Sequence, residues 1–179
     1  MYFSGNWSES MAIVRDAQPS DFSKIKEIRW AAYQEHERKL TAQHWDGLSS
    51  SFNKTYEEIE SVQSIVVEID QEIVGTVVLF PAEVVAYTGT IVSDKLQYPE
   101  LRLIAVSPQY RGRGIGKILV EECIKRVKEA GYPAMGLHTA DFMGTAVKMY
   151  EEFGFQRVPE DDFTPLDDGI VVKAFRIYV

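Results

Sequence analysis

Hydrophobic and polar positions along the chain change period several times, and each change marks an element. Ala12-Ile13-Val14-Arg15 has the composition of a short first strand. Pro19-Ser20-Asp21 then opens a helix with Ser20 or Asp21 as N-cap. Phe22, Ile25, Ile28 and Ala32, extending toward His36, recur at three and four residues as one buried stripe. Beyond Leu40, His44, Trp45 and Phe52 stand among Gly47, Ser49, Ser50, Ser51 and Asn53, which reads as a loop or short helix. Thr55-Tyr56-Glu57-Glu58 has capping-box spacing and predicts a helical turn or two through Val62. Two β-branched runs, Ser64 to Ile69 and Ile73 to Phe80, flank the polar Asp70-Gln71-Glu72 and predict an antiparallel hairpin ended by Pro81. A loose segment with Tyr87, Thr88 and Gly89 precedes a third run, Leu101 to Val106, which stops at Ser107-Pro108.

From Gly114 to about Ala130 the period is helical, with Ile115, Ile118, Leu119, Cys123 and Val127 inward and Gly131 where a C′ residue belongs. A strand from Ala134 to Thr139 and a helix from Thr145 to Glu152, closed by Gly154, come next. Phe155 to Val158 and Ile170 to Val179 read as strands around an acidic loop, Pro159 to Gly169. An early antiparallel pair succeeded by a strand–helix–strand unit predicts one α+β (mixed α/β) domain over residues 12–179, with residues 1–11 as an N-terminal extension.

Composition narrows the function classes. The 179 residues are 45% apolar and 26% charged, ordinary for a soluble globular chain. No run of about 18 apolar residues encodes a membrane span, and no basic segment followed by an apolar stretch marks a leader, so the expected location is cytoplasmic. Cys123 is the single cysteine, which excludes an internal disulfide and a cysteine zinc site. Lys and Arg total 19 against 27 Asp and Glu, a net charge of −8 that repels nucleic acid. His36, His44 and His138 fall in no metal-ligand spacing; His36 and His44 could share a helix face, as solvated or core-edge residues equally do. No metal is expected.

The chemistry concentrates in Gln109-Tyr110-Arg111-Gly112-Arg113-Gly114-Ile115-Gly116-Lys117, between a buried strand and an amphipathic helix. Alternate glycines strip side chains where backbone must turn and approach a partner closely. The helix that starts there offers unpaired N–H groups and the positive end of its dipole, with Arg111, Arg113 and Lys117 nearby. A phosphorylated ligand fits that site; solvated basic residues on a plain turn are the alternative. The Walker pattern is absent, because Lys117 is followed by Ile118 and Arg111 stands where the first glycine belongs. The dinucleotide fingerprint fails as well, since Lys117 occupies its third glycine.

Gln109-x-x-Gly112-x-Gly114, preceded by a strand and followed by a helix, resembles the pyrophosphate loop of the GNAT family of acyl-CoA-dependent N-acyltransferases. Ala146-x-x-Met149-Tyr150-x-x-x-Gly154-Phe155 resembles that family's late helix, and the element order fits over nearly all the chain. The resemblance implies a central twisted, mostly antiparallel sheet flanked by helices, with a splayed parallel strand pair. It further implies acetyl-CoA as co-substrate and direct attack of an amine on the acetyl carbonyl. Backbone at Ile104, Ala105 and Val106 would pair with the pantetheine arm. Gln109 belongs to the loop motif, and amides from Arg111 through Gly112, Arg113, Gly114, Ile115 and Gly116 to Lys117 would hold the pyrophosphate. Cys123 reads as core rather than nucleophile.

An alkyl ammonium, with a pKa of about 10.4, must lose a proton before it attacks. Glu100 is the leading base, directly or through a water, with a solvated strand-end carboxylate as the alternative; Glu83 is weaker. Tyr150 matches the family's general acid and also touches the cofactor in that picture, against a packing role for its ring. An N–H at Ala105 or Val106 would stabilise the oxyanion. The chain departs from the family pattern at Met143, where many members place Asn; Asp141 or Thr145 would have to substitute. The five acids of the Pro159–Gly169 loop favour a cationic acceptor if they border the cleft, and are a solvated hairpin otherwise. Trp30, Tyr33, Trp45 and Phe52 lie where the fold roofs the acceptor. The expected function is N-acetyl transfer to a primary amine of a small molecule or peptide; the alternative is a non-catalytic acyl-CoA-binding regulator. A homodimer is possible through the long final strand.

Overall fold

The turn residues Asp70 and Gln71 both lie at positive φ (50° and 66°), the primed geometry whose twist matches the strands it joins. It closes the expected hairpin of β2 (Gln63–Ile69) and β3 (Glu72–Phe80). The computed structural model describes residues 12–56, 61–84 and 96–179. Around the hairpin a seven-stranded sheet forms from β1 (Ile13–Asp16), β4 (Glu100–Val106), β5 (Ala134–Ala140), β6 (Gln156–Arg157) and β7 (Val172–Tyr178), in the order β1-β2-β3-β4-β5-β7-β6. Every neighbouring pair is antiparallel except β4 with β5. Among the described residues no helix is long and apolar enough to cross a membrane.

Side-chain alternation splits the core between the two faces. Ile65, Val67 and Ile69 of β2 pack under α3 (Ile115–Glu129) and α4 (Gly144–Phe153), together with Leu119, Cys123 and Val127. On the other face Val66 and Ala105 meet Ile25, Ile28 and Tyr33 of α1 (Phe22–Tyr33) and Trp45 of α2 (Ala42–Ser50), around the fully buried Phe52. Gly131 and Gly154 end α3 and α4 at φ of 81° and 93°, the left-handed stops expected at those positions.

Several expectations need correction. Asp21 is not a simple N-cap: its carboxylate accepts from the Gln18 amide at 2.8 Å, the return half of a capping box, and Arg15 pairs with it at 2.6 Å. α1 stops at Tyr33, and Gln34–Lys39 continue as 3₁₀ turns, so His36 and His44 share no helix face. Tyr56 has φ of 62° and is not helical; residues 57–60 of the expected Thr55–Val62 turn, like the segment with Tyr87, Thr88 and Gly89, lie outside the described residues. The last strand is interior. β5 takes one side of β7, while β6, Phe163 and the Asp162 carboxylate take the other, so it offers little edge to a second subunit.

Gly75 shows how tightly α3 seats on the sheet. A Cβ there would lie 2.6 Å from Ile115 Cγ2 and 3.3 Å from Leu119 Cδ1. Gly75→Ala therefore overpacks the point where α3 begins and should cost about 1–3 kcal/mol of unfolding free energy. Urea denaturation checks this as a lowered midpoint at unchanged m-value.

Candidate functional site

β4 carries an extra residue. Thr76 opposes Ala105 and Val78 opposes Arg102, so Leu103 and Ile104 together face the single Val77. Leu103 sits at φ of 50°, a left-handed conformation that a branched side chain seldom adopts. β4 and β5 are in register only at Glu100 with Gly136 and Leu101 with Leu137. Past those pairs the strands separate, and a cleft of about 730 Å³ opens. Ile104, Ala105 and Val106 line it, as do Arg111, Gly112, Gly114, Ile115, Gly116 and Lys117, so most of the expected cofactor residues meet at one opening. Tyr33 is there too, its hydroxyl donating to the Ile104 carbonyl at 3.1 Å.

The glycine turn is built as its composition suggests, with each glycine serving a separate need. Gly112 and Gly114 hold φ of 72° and 80°, and Gly114 is the residue from which α3 starts. A Cβ on Gly116 would come within 3.2 Å of Met149 Sδ, so this glycine lets α4 close against α3. The first turn of α3, from Ile115 to Lys117, presents amides with no acceptor inside the helix. The Arg111 amide donates instead to the Pro108 carbonyl at 3.3 Å.

The basic side chains are engaged within the protein. Arg111 donates to Glu35 Oε2 at 3.0 Å and to the Ala32 carbonyl at 3.1 Å, and this pairing holds the Glu35 carboxyl below its usual range. Lys117 pairs with Glu152 at 3.1 Å. Arg113 lies over the Tyr110 ring at 5.0 Å, and Gln109 is exposed on the preceding 3₁₀ turn; neither lines the cleft. At the cleft's other wall the His36 and Phe142 rings meet at 5.2 Å. Of the two substitutes for the missing asparagine, Thr145 lines the cleft, whereas Asp141 pairs with Lys173 at 2.5 Å; Met143 caps α4, lines the cleft and packs against the core under α1.

Tyr150 and Glu100 lie behind the cleft lining rather than on it. Tyr150 is buried with its ring edge on Phe155, and burial, with Tyr33 and Cys123 nearby, pushes its phenol well above the ordinary tyrosine range. Cys123, pushed up to about 12 by burial, carries no thiolate and belongs to the core. Glu100 is no solvated strand end: at 3% exposure its Oε2 lies 3.1 Å from His138 Nδ1, against Gly136. Glu83 is exposed on the turn after β3.

Of the acidic loop, Asp161 pairs with Arg176 at 2.9 Å, Asp162 with Arg157 at 2.6 Å and Asp168 with His44 at 2.6 Å. Two of its five acids are paired with arginines and a third is hydrogen-bonded to His44, which weakens the expected attraction for a cation. The His44 contact also holds the Asp168 carboxyl below its usual range and pins the loop to α2.

His138, which in the sequence falls in no metal-ligand spacing, organises this corner. Its Nε2 is 3.1 Å from the Asp161 carbonyl, so both ring nitrogens face oxygen acceptors and the doubly protonated ring satisfies both. Burial works against that charge, but the Glu100 carboxylate outweighs it and holds the imidazole above its ordinary value. A raised folded-state value stabilises the fold fully below the unfolded pKa of about 6.5, and that contribution is lost as pH rises through the folded value. An NMR titration should place His138 above 6.5, and Glu100→Gln should lower it, with the stability loss on raising pH through the folded value diminishing in parallel.

Comparison with known proteins agrees with this architecture. Residues 22–155 match the acetyltransferase (GNAT) family. An uncharacterized N-acetyltransferase of Schizosaccharomyces pombe is 31% identical over 41% of this chain and 45% of its own length. Human N-acetyltransferase 8B is 29% identical over 55% of this chain and 40% of its own. The chain thus spans under half the length of these curated relatives. Among solved structures, a GNAT-family acetyltransferase of Staphylococcus aureus superposes with a TM-score of 0.64 at 20% identity, over 93% of this chain and 98% of that one. A Salmonella typhimurium protein whose structure was determined with acetyl-CoA gives 0.63 at 16% identity, over 93% of each chain. At these identities the structural likeness speaks for the fold: a mixed sheet with one parallel pair, flanked by helices. With the family match running through the glycine turn to Phe155, the chain belongs to the GNAT acetyltransferase family.

Proposed function

We propose that this protein transfers the acetyl group of acetyl-CoA to a primary amine of a small molecule or peptide by direct attack, with no acyl-enzyme intermediate. The observation that carries the reading is the parting of β4 from β5 beside the unsatisfied amides of α3, which opens one cleft suited to an extended arm ending in a diphosphate. The backbone of Ile104 to Val106 borders the arm, and the turn from Gly112 to Lys117 receives the diphosphate. An amide at Ala105 or Val106 faces the developing oxyanion, where a fixed donor in a water-poor site contributes most.

Tyr150 is the donor to the departing sulfur. Because burial keeps its phenol protonated at every working pH, it acts as a hydrogen-bond donor that strengthens as charge collects on the thiolate. Glu100, held by His138, is the base that relieves the ammonium of its proton, through a water if the amine stops short of it. Cys123 has no part in the chemistry, as its burial requires.

Acetyl-CoA should raise the melting temperature where NAD(P) does not, and an amine panel should release free CoA thiol. Tyr150→Phe should lower kcat about 10²- to 10⁴-fold while acetyl-CoA affinity stays within a few-fold. Tight acetyl-CoA binding with no thiol release from any amine would replace this reading with that of a non-catalytic acyl-CoA binder.

A further inference from the structure

The cleft does not end at the glycine turn. It runs on along α4, where Thr145, Lys148 and Glu152 line it from one helix face, three and four residues apart. α4 is seated against the start of α3 at two points. Met149 closes on Gly116, and Glu152 pairs with Lys117 at 3.1 Å. Lys148 therefore stands one helical turn from a carboxylate that already grips the first turn of α3.

The basic side chains lining the cleft divide by what they hold. Arg111 is committed to Glu35 and the Ala32 carbonyl, and Lys117 to Glu152. Lys39, on the wall formed by the end of α1, lies 3.5 Å from His36 Nδ1. Lys148 is exposed and has no ion-pair or hydrogen-bond partner among the described residues. Glu152, four residues on, is within helical reach of it, but Lys117 has taken that carboxylate. The exchange leaves one whole positive charge on the α4 wall, in a chain whose net charge is −8.

Resting on the acetyl-transfer reading, we infer that Lys148 binds the 3′-phosphate of the cofactor's adenosine, so that this protein distinguishes coenzyme A from its 3′-dephospho form. The two anionic groups of that cofactor make different demands. Each phosphate of the diphosphate carries one charge, which the amides of α3 can answer. The phosphomonoester has a second pKa of about 6 and carries close to two charges at neutrality. Partial charges on neutral amides leave such a dianion under-compensated in an acidic protein, whereas a full ammonium answers it directly. One ribose joins the monoester to the diphosphate, and one helix contact joins the wall that carries Lys148 to the diphosphate turn. Lys39 is the poorer partner: it belongs to the turns that follow α1, whereas α3 and α4 share a face of the sheet.

Calorimetric titration with coenzyme A and with 3′-dephospho-coenzyme A at low salt gives a ratio of dissociation constants that requires no acceptor. The wild-type chain should favour coenzyme A by about fivefold to thirtyfold, the range of one charge-assisted contact partly screened by solvent. Lys148→Gln should bring the ratio to within about twofold of unity by weakening coenzyme A alone, with the dephospho form bound as before. Lys148→Arg should keep most of the preference, and Lys39→Gln should leave it as in the wild type. Raising NaCl to about 0.5 M should shrink the wild-type ratio and leave that of the glutamine variant near unity. Equal affinity for the two compounds in the wild type, a ratio that survives Lys148→Gln, or one that collapses in Lys39→Gln instead overturns the inference while the acetyl-transfer reading stands. Failure of both compounds to bind overturns that reading along with it.

Discussion

One left-handed residue in β4 shapes the cleft between β4 and β5. With Leu103 at φ of 50°, two residues of β4 occupy the space opposite one of β3, and the strand bends away from its parallel neighbour after two paired positions. Such a conformation costs about 1–3 kcal/mol in a branched residue and persists only where surrounding packing fixes it. Here the packing is ample. Leu101, Ile104 and Val106 are held in the core under α3, and Leu103 and Ala105 in the core under α1. The bulge therefore converts core stability on both faces into a permanent gap within the sheet.

The segment after β4 completes the gap chemically. The Ser107 amide donates to the Val74 carbonyl at 2.9 Å, which ties the strand's exit to β3, and Gly75 next door lets Ile115 sit directly on the sheet. The start of α3 is thereby fixed at the mouth of the cleft. In a protein of net charge −8, a site for a polyanion cannot rely on background potential. Nor does it rely on free cations, because Arg111 and Lys117 are already paired with Glu35 and Glu152. In the proposed reading the attraction for the diphosphate comes from oriented amides, which add no net charge and need no reorganisation. Arg111, bonded to Glu35 and to the Ala32 carbonyl, joins this turn to the end of α1.

How far this could be read from sequence depends on the range of the interaction concerned. The hairpin, α3 and α4 were legible because period and turn residues are local signals, and Gly112, Gly114 and Gly116 because glycine and positive charge coincide at a helix start. The bulge was not, since Leu103 offers no glycine or proline to mark it. The interior place of β7 was hidden because strand order is a global property. The acidic loop misled for the same reason: Asp168 finds its partner His44 at a separation of 124 residues, and nothing near either residue signals the pair. Arg29 stood unnoticed inside an apolar stripe whose period it keeps, because a helical pattern judged on hydrophobicity treats a buried cation as a gap.

The two groups proposed above to handle protons are buried in opposite settings. Tyr150 is wrapped in apolar core, which penalises its charged form and makes it a persistent donor. Glu100 is equally buried but stands between His138 and Arg102 rather than in apolar core. The charge of Glu100 thus sets how firmly His138 holds its proton, and the two form one coupled pair. The other ring nitrogen, Nε2, faces the Asp161 carbonyl, so the ring that holds Glu100 also ties down the acidic loop.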